Sequence, residues 1–586
     1  MANNEATTHL FKKRHSLAHV LLMAVKEHFP DAHPTIGPVI ENGFYYDIDF
    51  GDIKITEKDL QILEKTMRKI LVQNLNFVVE TVKISQAKEL FKDNIFKLEI
   101  INGLEKDNTD ITLYHTGENF FDLCEGPHVE NTKEITPDSF KLEKIAGSYW
   151  RGNEKNPMLT RIYGLAFDTQ PELVAYETQL EEAKKRDHRI LGKQLKLFTF
   201  SDLVGPGLPL WTPRGTIIRE ELNDFVWSLR KKQGYQKVTI PHITKNNLYE
   251  KSGHWAKYAE DLFKIKTRDG HTFCMKPMNC PHHAQIYASE LRSYKELPIR
   301  YCETTMVYRD EQSGELSGLS RVLSITQDDA HVFCRESQLE QEMGSVWDLI
   351  QNFYSTFGFT LLPRFSRRDL TLPEKYMGST LGWDKAETAI KHLIETRSSD
   401  NWIDGVGEAA FYGPKIDFMA KDSIGRTWQV ATIQLDFVQP ANLELEFVND
   451  EGKRETPVMI HCAVMGSLER FMSTFIEHSA GNFPLWLCPT QIVVLPLGEK
   501  HHEYAKTISS SLLLADIRVE CDDSKDGLGK KIKSARELKT PYWAVIGDAE
   551  ISNNTITLEH RVLGKIGEIK IEDLVLKLQQ EIKEKK

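Results

Sequence analysis

Residues Thr326–Cys334, TQDDAHVFC, hold two acids, a histidine and a cysteine within nine positions. Three readings compete: a metal site, an acid/base pair and an ordinary buried strand. In a strand, side chains alternate between faces. Gln327, Asp329 and His331 then share one face, and Asp328, Ala330 and Val332 share the other. Cys334 lies three residues from His331, on the opposite face, so one strand cannot offer both to a metal. What remains is an amide, a carboxylate and an imidazole in a row. A solvated sheet face would explain them, but the apolar strands around the stretch favour a pocket lining.

Similar strand-like runs, KVTIPHI, LPIRYCETTMVYR and RTWQVATIQLDFV, alternate with helical patterns such as GTIIREELNDFVWSLRKKQ. They predict an antiparallel sheet with one covered face over residues 187–486. Beyond FPLWLCPTQ the pattern becomes β-α-β-α-β, a small α/β domain over 487–586 with a largely parallel sheet. Residues 1–186 are mixed: an amphipathic helix in HSLAHVLLMAVKEHF, a hairpin in GPVIENGFYYDIDF with Asn42-Gly43 as its turn, and a helix over 57–73. The charged stretch 176–195 reads as a solvated linking helix. The expected class is α+β multidomain, as the 586-residue length suggests. There is no internal repeat, no membrane-length apolar run and no leader pattern at the start. Eight scattered cysteines without a CxxC pair fit a reduced, cytosolic compartment. A net charge of −11 argues against wholesale coating of nucleic acid but allows a local basic groove. No P-loop occurs.

A zinc ion that keeps a position open for substrate needs three protein ligands. Cys280 in MKPMNCPHH and His461 in PVMIHCAVMGS are possible partners for His331. Spacing does not pair them, and Cys280 reads equally as a small buried hydrophobe. Arg309 reads as lying on a strand, a polar Gly-containing loop follows, Arg321 reads as lying on the returning strand, and Arg470 sits on a helix that otherwise looks buried. Guanidinium groups suit phosphate and carboxylate. His15 and His19 share a helix face at i, i+4. With Cys124 and His128 of DLCEGPHVE they make either a zinc set or a metal-free hydrogen-bonded pocket.

YRDEQSGELSGLSR followed by TQDDAHVFC resembles motif 2 of the class II aminoacyl-tRNA synthetases. GSLERF resembles motif 3, and YQKVTIPHI resembles motif 1 with Pro241 as its proline. Cys280, His331 and His461 in MNCP, QDDAH and MIH resemble the threonyl-tRNA synthetase family, as do RHSLAH, CEGPH, GSYWRG, FYGPKIDF and IQLDF. The likeness runs from about residue 10 to the end of the chain.

That resemblance implies one Zn²⁺ per subunit on Cys280, His331 and His461, its open position taking the threonine amino group and hydroxyl. Asp329 would accept from the hydroxyl, and Gln327, Tyr412, Gln434, Met278 and Ala463 would line the pocket. Valine lacks the hydroxyl and is rejected strongly. Serine lacks one methyl, worth only about 1–3 kcal/mol, so a serine-clearing site is expected. By resemblance it is the first region, with His15, His19, Cys124, His128 and Lys97 acting through a positioned water and no second metal. Arg309 would hold the α-phosphate and the amino-acid carboxylate. Arg321 and Arg470 would hold the other phosphates, with Lys415 nearby. Glu311 would meet the adenine, and Gln429 would join the ATP site. His254 in SGHW would assist transfer to the tRNA 3′ end. The partners implied are tRNA(Thr), ATP with Mg²⁺, L-threonine and a second copy through motif 1, in the cytoplasm and away from membranes.

The sequence departs from the family pattern in several places. Ile325 stands where a Phe normally stacks on adenine, and Cys462 follows the last zinc histidine in place of Arg. Fourteen residues precede His15, so the small leading domain of most bacterial members is expected to be absent or trimmed. In the third region Glu550 matches an anticodon-contacting position, an expected arginine is replaced near Glu559, and SKDGLGKKIKS offers a basic phosphate contact. Two alternatives are a prolyl or seryl enzyme, which the Cys280/His331/His461 set disfavours, and a synthetase-like regulatory protein, which the three arginines disfavour.

Overall fold

The computed structural model describes residues 8–106 and 111–586, so the start of the stretch read for a leader lies outside the described residues. The chain divides into two compact units after Glu181. The first begins with α1 (His9–His28), whose first turn is closed by Thr8 accepting from the Phe11 N–H at 3.2 Å. Its apolar positions Leu17, Val20, Leu21 and Ala24 are buried, as the amphipathic pattern predicts. They join one core with α2 (Glu57–Leu71) and an antiparallel sheet. That sheet combines β1 (His33–Pro34), β2 (Val39–Ile40), β3 (Gly43–Asp49), β7 (Phe140–Tyr149) and β8 (Met158–Ala166). A second sheet of β4 (Phe77–Val82), β5 (Ile111–Thr116) and β6 (Phe120–Leu123) lies with α3 (Ile95–Lys106).

Two local expectations need correction. Ile40 pairs with Gly43, so the hairpin turn is Glu41-Asn42, one residue earlier than read. Gly43 is a strand residue: a Cβ there would stand 1.9 Å from the Gly164 carbonyl oxygen. The glycine serves close strand approach, not the turn. The stretch 176–195 is not one helix. α4 (Gln170–Arg186) ends at Asp187, which caps α5 (His188–Gln194) by accepting from the Arg189 N–H at 2.8 Å.

The second unit is built on an eight-stranded sheet, ordered β9 (Gln236–Lys237), β10 (Ile299–Tyr308), β11 (Ser324–Cys334), β16 (Val458–Ser467), β15 (Thr427–Asp436), β14 (Lys415–Lys421), β12 (Thr360–Arg367) and β13 (Ile403–Val406). All neighbours are antiparallel except β9–β10 and β12–β13. α6 (Pro213–Lys232) and α8 (Leu339–Thr356) cover one face and bury Ala330, Val332 and Cys334 of β11. The opposite face carries a smaller core at Phe333, Tyr301 and Met459 with α7 (Cys280–Ala288). It leaves room for the row Gln327, Asp329, His331. α9 (Leu468–His478) follows β16 directly.

After it come β17 (Ile492–Pro496), α10 (His502–Leu514), β18 (Val519–Cys521), α11 (Leu528–Glu537) and β19 (Tyr542–Ile546), the expected β-α-β-α-β run with parallel pairing. β20 (Ile556–His560) and β21 (Gly564–Ile569) extend this sheet antiparallel, before α12 (Ile571–Lys583). Among the described residues no helix is long and apolar enough to cross a membrane.

Gly43→Ala is expected to cost about 1–3 kcal/mol, because backbone cannot move aside for the new methyl. Gly103→Ala on α3, with nothing among the described residues within 4 Å of the added carbon, is the control. Urea denaturation checks the pair, and equal stabilities would contradict the close-approach account.

Candidate active site and a second histidine pocket

β11 pairs His331 with His461 of β16, and α7 brings Cys280 to them across the open sheet face. The three donor atoms lie within 4.8 Å of one another, all on buried residues. His331 Nε2 stands 3.1 Å from His461 Nδ1. Each ring is oriented through its other nitrogen: His461 Nε2–H donates to Asp436 at 2.9 Å, and His331 Nδ1 meets His283 Nδ1 at 2.8 Å. Burial, then the neighbouring His461, holds His331 well below the ordinary histidine range, and burial pushes the Cys280 thiol up. Two buried rings thus present His331 Nε2 and His461 Nδ1 to one spot beside a thiol, an arrangement that suits a cation.

Asp329 borders that spot, its carboxylate accepting from Asn279 Nδ2 at 3.1 Å. Ala463 lies opposite Asp329 in the ladder. The Tyr412 hydroxyl donates to Gln434 at 3.1 Å, and its ring lies 5.1 Å from that of His461. Gln327 Oε1 is buried with no hydrogen-bond partner among the described residues. His254 Nε2 lies 3.0 Å from the Met278 sulfur and 3.9 Å from Cys280 Sγ, its Nδ1 against Ser252 Oγ at 2.9 Å. Burial, then His461 and Arg309, pulls His254 down to about 3.

Arg309 and Arg321 do not lie on the strands, as read, but at the roots of the loop between them, since β10 ends at Tyr308 and β11 begins at Ser324. Arg470 is in the first turn of α9, where Ser467 accepts from its backbone N–H at 3.2 Å. Burial first, then repulsion from Arg309 and Arg321, lowers the Arg470 pKa. The three charges therefore gather where an anion would relieve them. Glu311 is ion-paired with Arg321 at 2.5 Å. Lys415 pairs with Asp417, which also accepts from Arg364 at 2.9 Å, Ser366 at 2.6 Å and Gln429 at 2.8 Å. Sequence reasoning missed Asp417, Asp436, Asn279 and His283. The first two are lone carboxylates in apolar strand runs, and His283 adjoins the quoted Cys280.

In the first unit, His15 and His19 of α1 meet the β6 end of the second sheet around a cavity of about 500 Å³. Cys124 Sγ lies 3.3 Å from both His15 Nε2 and His128 Nε2. His15 Nδ1–H donates to the Pro127 carbonyl at 3.2 Å, and His128 Nδ1 pairs with Ser16 Oγ at 3.1 Å. Burial lowers all three histidines, His19 to about 3, and raises the Cys124 thiol to about 12. Lys97 makes a fully buried ion pair with Asp122 at 2.6 Å, and the Tyr46 hydroxyl donates to the same carboxylate at 2.5 Å. Asp122, Tyr46 and Ser16 were not singled out from sequence. Asp122 was the most findable, two residues before Cys124.

Among the C-terminal elements, Glu550 accepts from the Gly547 N–H at 2.8 Å and Thr557 at 2.6 Å, and Glu559 accepts from Trp543 at 2.8 Å. Lys531 of the basic stretch is buried, its ammonium on the Pro496 and Asp522 carbonyls at 3.2 and 2.7 Å. It is a structural cation, while Lys530 and Lys533 stay exposed.

An antiparallel core with a strand–loop–strand arginine pair and a third arginine opening the following helix is the architecture of a class II aminoacyl-tRNA synthetase. Residues 263–479 match the family described as tRNA synthetase class II core domain (G, H, P, S and T), and 491–581 match the anticodon binding domain. Residues 111–163 match the threonyl and alanyl tRNA synthetase second additional domain. The threonine–tRNA ligase of Synechococcus elongatus is 47% identical over 583 residues, covering 98% of this chain and 95% of that one. That of Gloeobacter violaceus is 46% identical over 584 residues, 98% of this chain and 92% of its own. A crystal structure titled as the RNA binding domain of threonyl-tRNA synthetase from Cryptosporidium parvum superimposes with TM-score 0.65 at 35% identity, covering 67% of this chain and 98% of its own. ThrRS-1 of Aeropyrum pernix, titled a putative threonyl-tRNA synthetase, gives TM-score 0.60 at 26% identity over 68% of this chain and 97% of its own. The chain belongs to the threonine–tRNA ligase family.

His15, His19 and His128 are all held below 6.5 in the folded state, so the unfolded chain takes up more protons between pH 6.5 and, for His19, about 3. Stability is therefore expected to fall as pH drops through that window, by at most about 1.4 kcal/mol per pH unit per histidine. Denaturant midpoints against pH check this. His19→Asn should flatten the slope, and an unchanged slope would contradict the assignment.

Proposed function

We propose that the chain joins L-threonine to tRNA(Thr) through a threonyl-adenylate, with ATP giving AMP and diphosphate, and hydrolyses mischarged seryl-tRNA(Thr). The observation that carries this is the convergence of two oriented imidazole nitrogens and a thiol beside Asp329. Their set fits Zn²⁺: two nitrogens at 3.1 Å are spaced like neighbouring ligands of one tetrahedral ion, roughly 3.3 Å apart for bonds of about 2.0 Å. Cys280, His331 and His461 would hold it, and when bound it supplies a Lewis-acid position for the threonine amino group and hydroxyl. Asp329 accepts the hydroxyl proton's hydrogen bond. Valine offers that buried carboxylate no hydroxyl donor, which supports rejection by a factor on the order of 10⁴. Tyr412, Gln434, Gln327, Met278 and Ala463 shape the pocket wall.

Arg309 places the threonine carboxylate against the α-phosphate, whose bond to diphosphate breaks as the new P–O bond forms. Arg321, Arg470 and Lys415 hold the departing charge, and Mg²⁺ travels with the nucleotide. Gln429 and Glu311 belong to the same ATP site, each restrained by Asp417 or Arg321. The 3′-terminal ribose hydroxyl then attacks the adenylate carbonyl, releasing AMP. His254, neutral and a weak base in its buried position, orients that hydroxyl by hydrogen bonding.

In the first unit His15, His19 and His128, all neutral, and the protonated Cys124 direct a water at the seryl ester, with Lys97 anchored by Asp122. The residue ranges of this reading are 1–186 for editing with its linking helix, 187–486 for catalysis and 487–586 for the anticodon. The enzyme works in the cytoplasm as a homodimer through the stretch ending at Pro241.

Pyrophosphate exchange with threonine, valine and serine tests the reading: exchange should be strong with threonine, detectable with serine and near background with valine. Absence of threonine-dependent exchange would refute it. His15→Ala with His19→Ala should leave threonylation intact while seryl-tRNA accumulates, and unimpaired seryl-tRNA clearance would refute the editing assignment. Asp436→Asn should weaken zinc binding about 10–100-fold in chelator competition. An unchanged affinity would remove Asp436 from the set.

A further inference from the structure

We infer that His188, outside both reactive sets, is a positioning residue that holds the loop between β10 and β11 against α9. It rests on the reading that Arg309, Arg321 and Arg470 bind ATP. His188 opens α5 and is 4% exposed. Its Nδ1–H donates to Glu477 Oε1 at 2.7 Å, and the Leu319 backbone N–H donates to its Nε2 at 3.0 Å. Only a neutral imidazole in one tautomer does both. Glu477 is itself fixed, accepting the His188 N–H at 3.0 Å and pairing with Arg426 at 2.6 Å.

The next loop residue is held from the same helix. The Ser320 carbonyl accepts from Arg470 Nε at 3.2 Å, and its hydroxyl meets that of Ser473 at 3.0 Å. Arg470, Ser473 and Glu477, at i, i+3 and i+7, form one face of α9. The loop is thus fastened along this face just before Arg321. The His188 ring links Glu477 to the loop, bonded to the carboxylate through Nδ1 and to the Leu319 N–H through Nε2. Gly318 shows how closely the loop passes: its φ is +51°, and a Cβ would stand 2.3 Å from His188 Nε2.

Asp187, His188 and Glu477 also bring donor atoms within 4.8 Å, a grouping that a cation would suit. Here the donors are already engaged. Asp187 pairs with Arg189 at 2.5 Å, Glu477 with Arg426, and the imidazole lone pair takes the Leu319 N–H. The set reads as a hydrogen-bonded strut.

The test compares His188→Leu, which fills the space without ring nitrogens, with His188→Gln, whose amide oxygen can take the Leu319 N–H. For His188→Leu the expected result is a rise in KM for ATP of about ten-fold, the scale of one lost hydrogen bond. The KM for threonine should stay within about two-fold. Amide exchange at Leu319 should quicken in the nucleotide-free enzyme, and His188→Gln should recover most of both effects. Gly318→Ala, pushing the ring aside from the loop, should reproduce the ATP-selective defect even if His188→Leu fails to fold. Unchanged Leu319 exchange, or ATP and threonine KM values rising together, would overturn the inference. Faster Leu319 exchange without any ATP effect would keep the strut and instead reject the arginine site.

Discussion

Asp328 is buried against Arg230, and that contact decides which way β11 faces. The Arg230 guanidinium lies 3.3 Å from the carboxylate and 2.8 Å from the same residue's carbonyl, and the Val464 N–H donates to the carboxylate at 3.0 Å. Burial raises Asp328 to about 6, with Arg230 opposing the shift. Leaving either charge alone there would cost about 3–5 kcal/mol. A one-residue slip of the strand would exchange Asp328 and Asp329 and turn His331 into the helix-covered core. With Asp328 pinned, Asp329 and His331 have only the open face, where Asn279, His283 and His461 meet them. A bulge between Gln327 and Asp329 sets Gln327 opposite Ser467, the cap of the helix carrying Arg470. The histidine end and the arginine end of the site therefore follow from one strand.

The two histidine clusters each set imidazoles beside a thiol that burial pushes up, yet their supporting groups differ. In the second unit Asp436 accepts directly from a proposed ligand ring, which strengthens its donor nitrogen. In the first, the carboxylate of Asp122 is taken by Lys97 and Tyr46, and the rings rest on a carbonyl and a hydroxyl. That contrast favours a cation in one pocket and an oriented water in the other, although both sets of donor atoms are close enough together for an ion.

Much of this was legible in sequence because it is local. Strand parity alone separated His331 from Cys334, and Cys334 is indeed buried on the far face. Helical spacing paired His15 with His19, and the β-α-β-α-β rhythm of the last region reflects short-range patterning. The residues that stayed hidden act across long separations. Asp417, Asp436 and Asp122 are single carboxylates within apolar strands, and their partners appear only when the sheets assemble. Asn42-Gly43 misled because close approach to Gly164 and a turn call for the same residue. The break at Asp187 lay inside a helical charge pattern, and Lys531 is buried by carbonyls that no motif announces.

The central claim, that hydroxyl recognition is built on Cys280, His331 and His461 and not on the chemically similar first-unit set, is tested most directly by an anomalous-scattering map at the zinc edge. One peak per chain is expected, within bonding distance of Cys280 Sγ, His331 Nε2 and His461 Nδ1, with none beside Cys124. A peak only in the His15/His19/Cys124/His128 pocket, or none in either, would contradict the account.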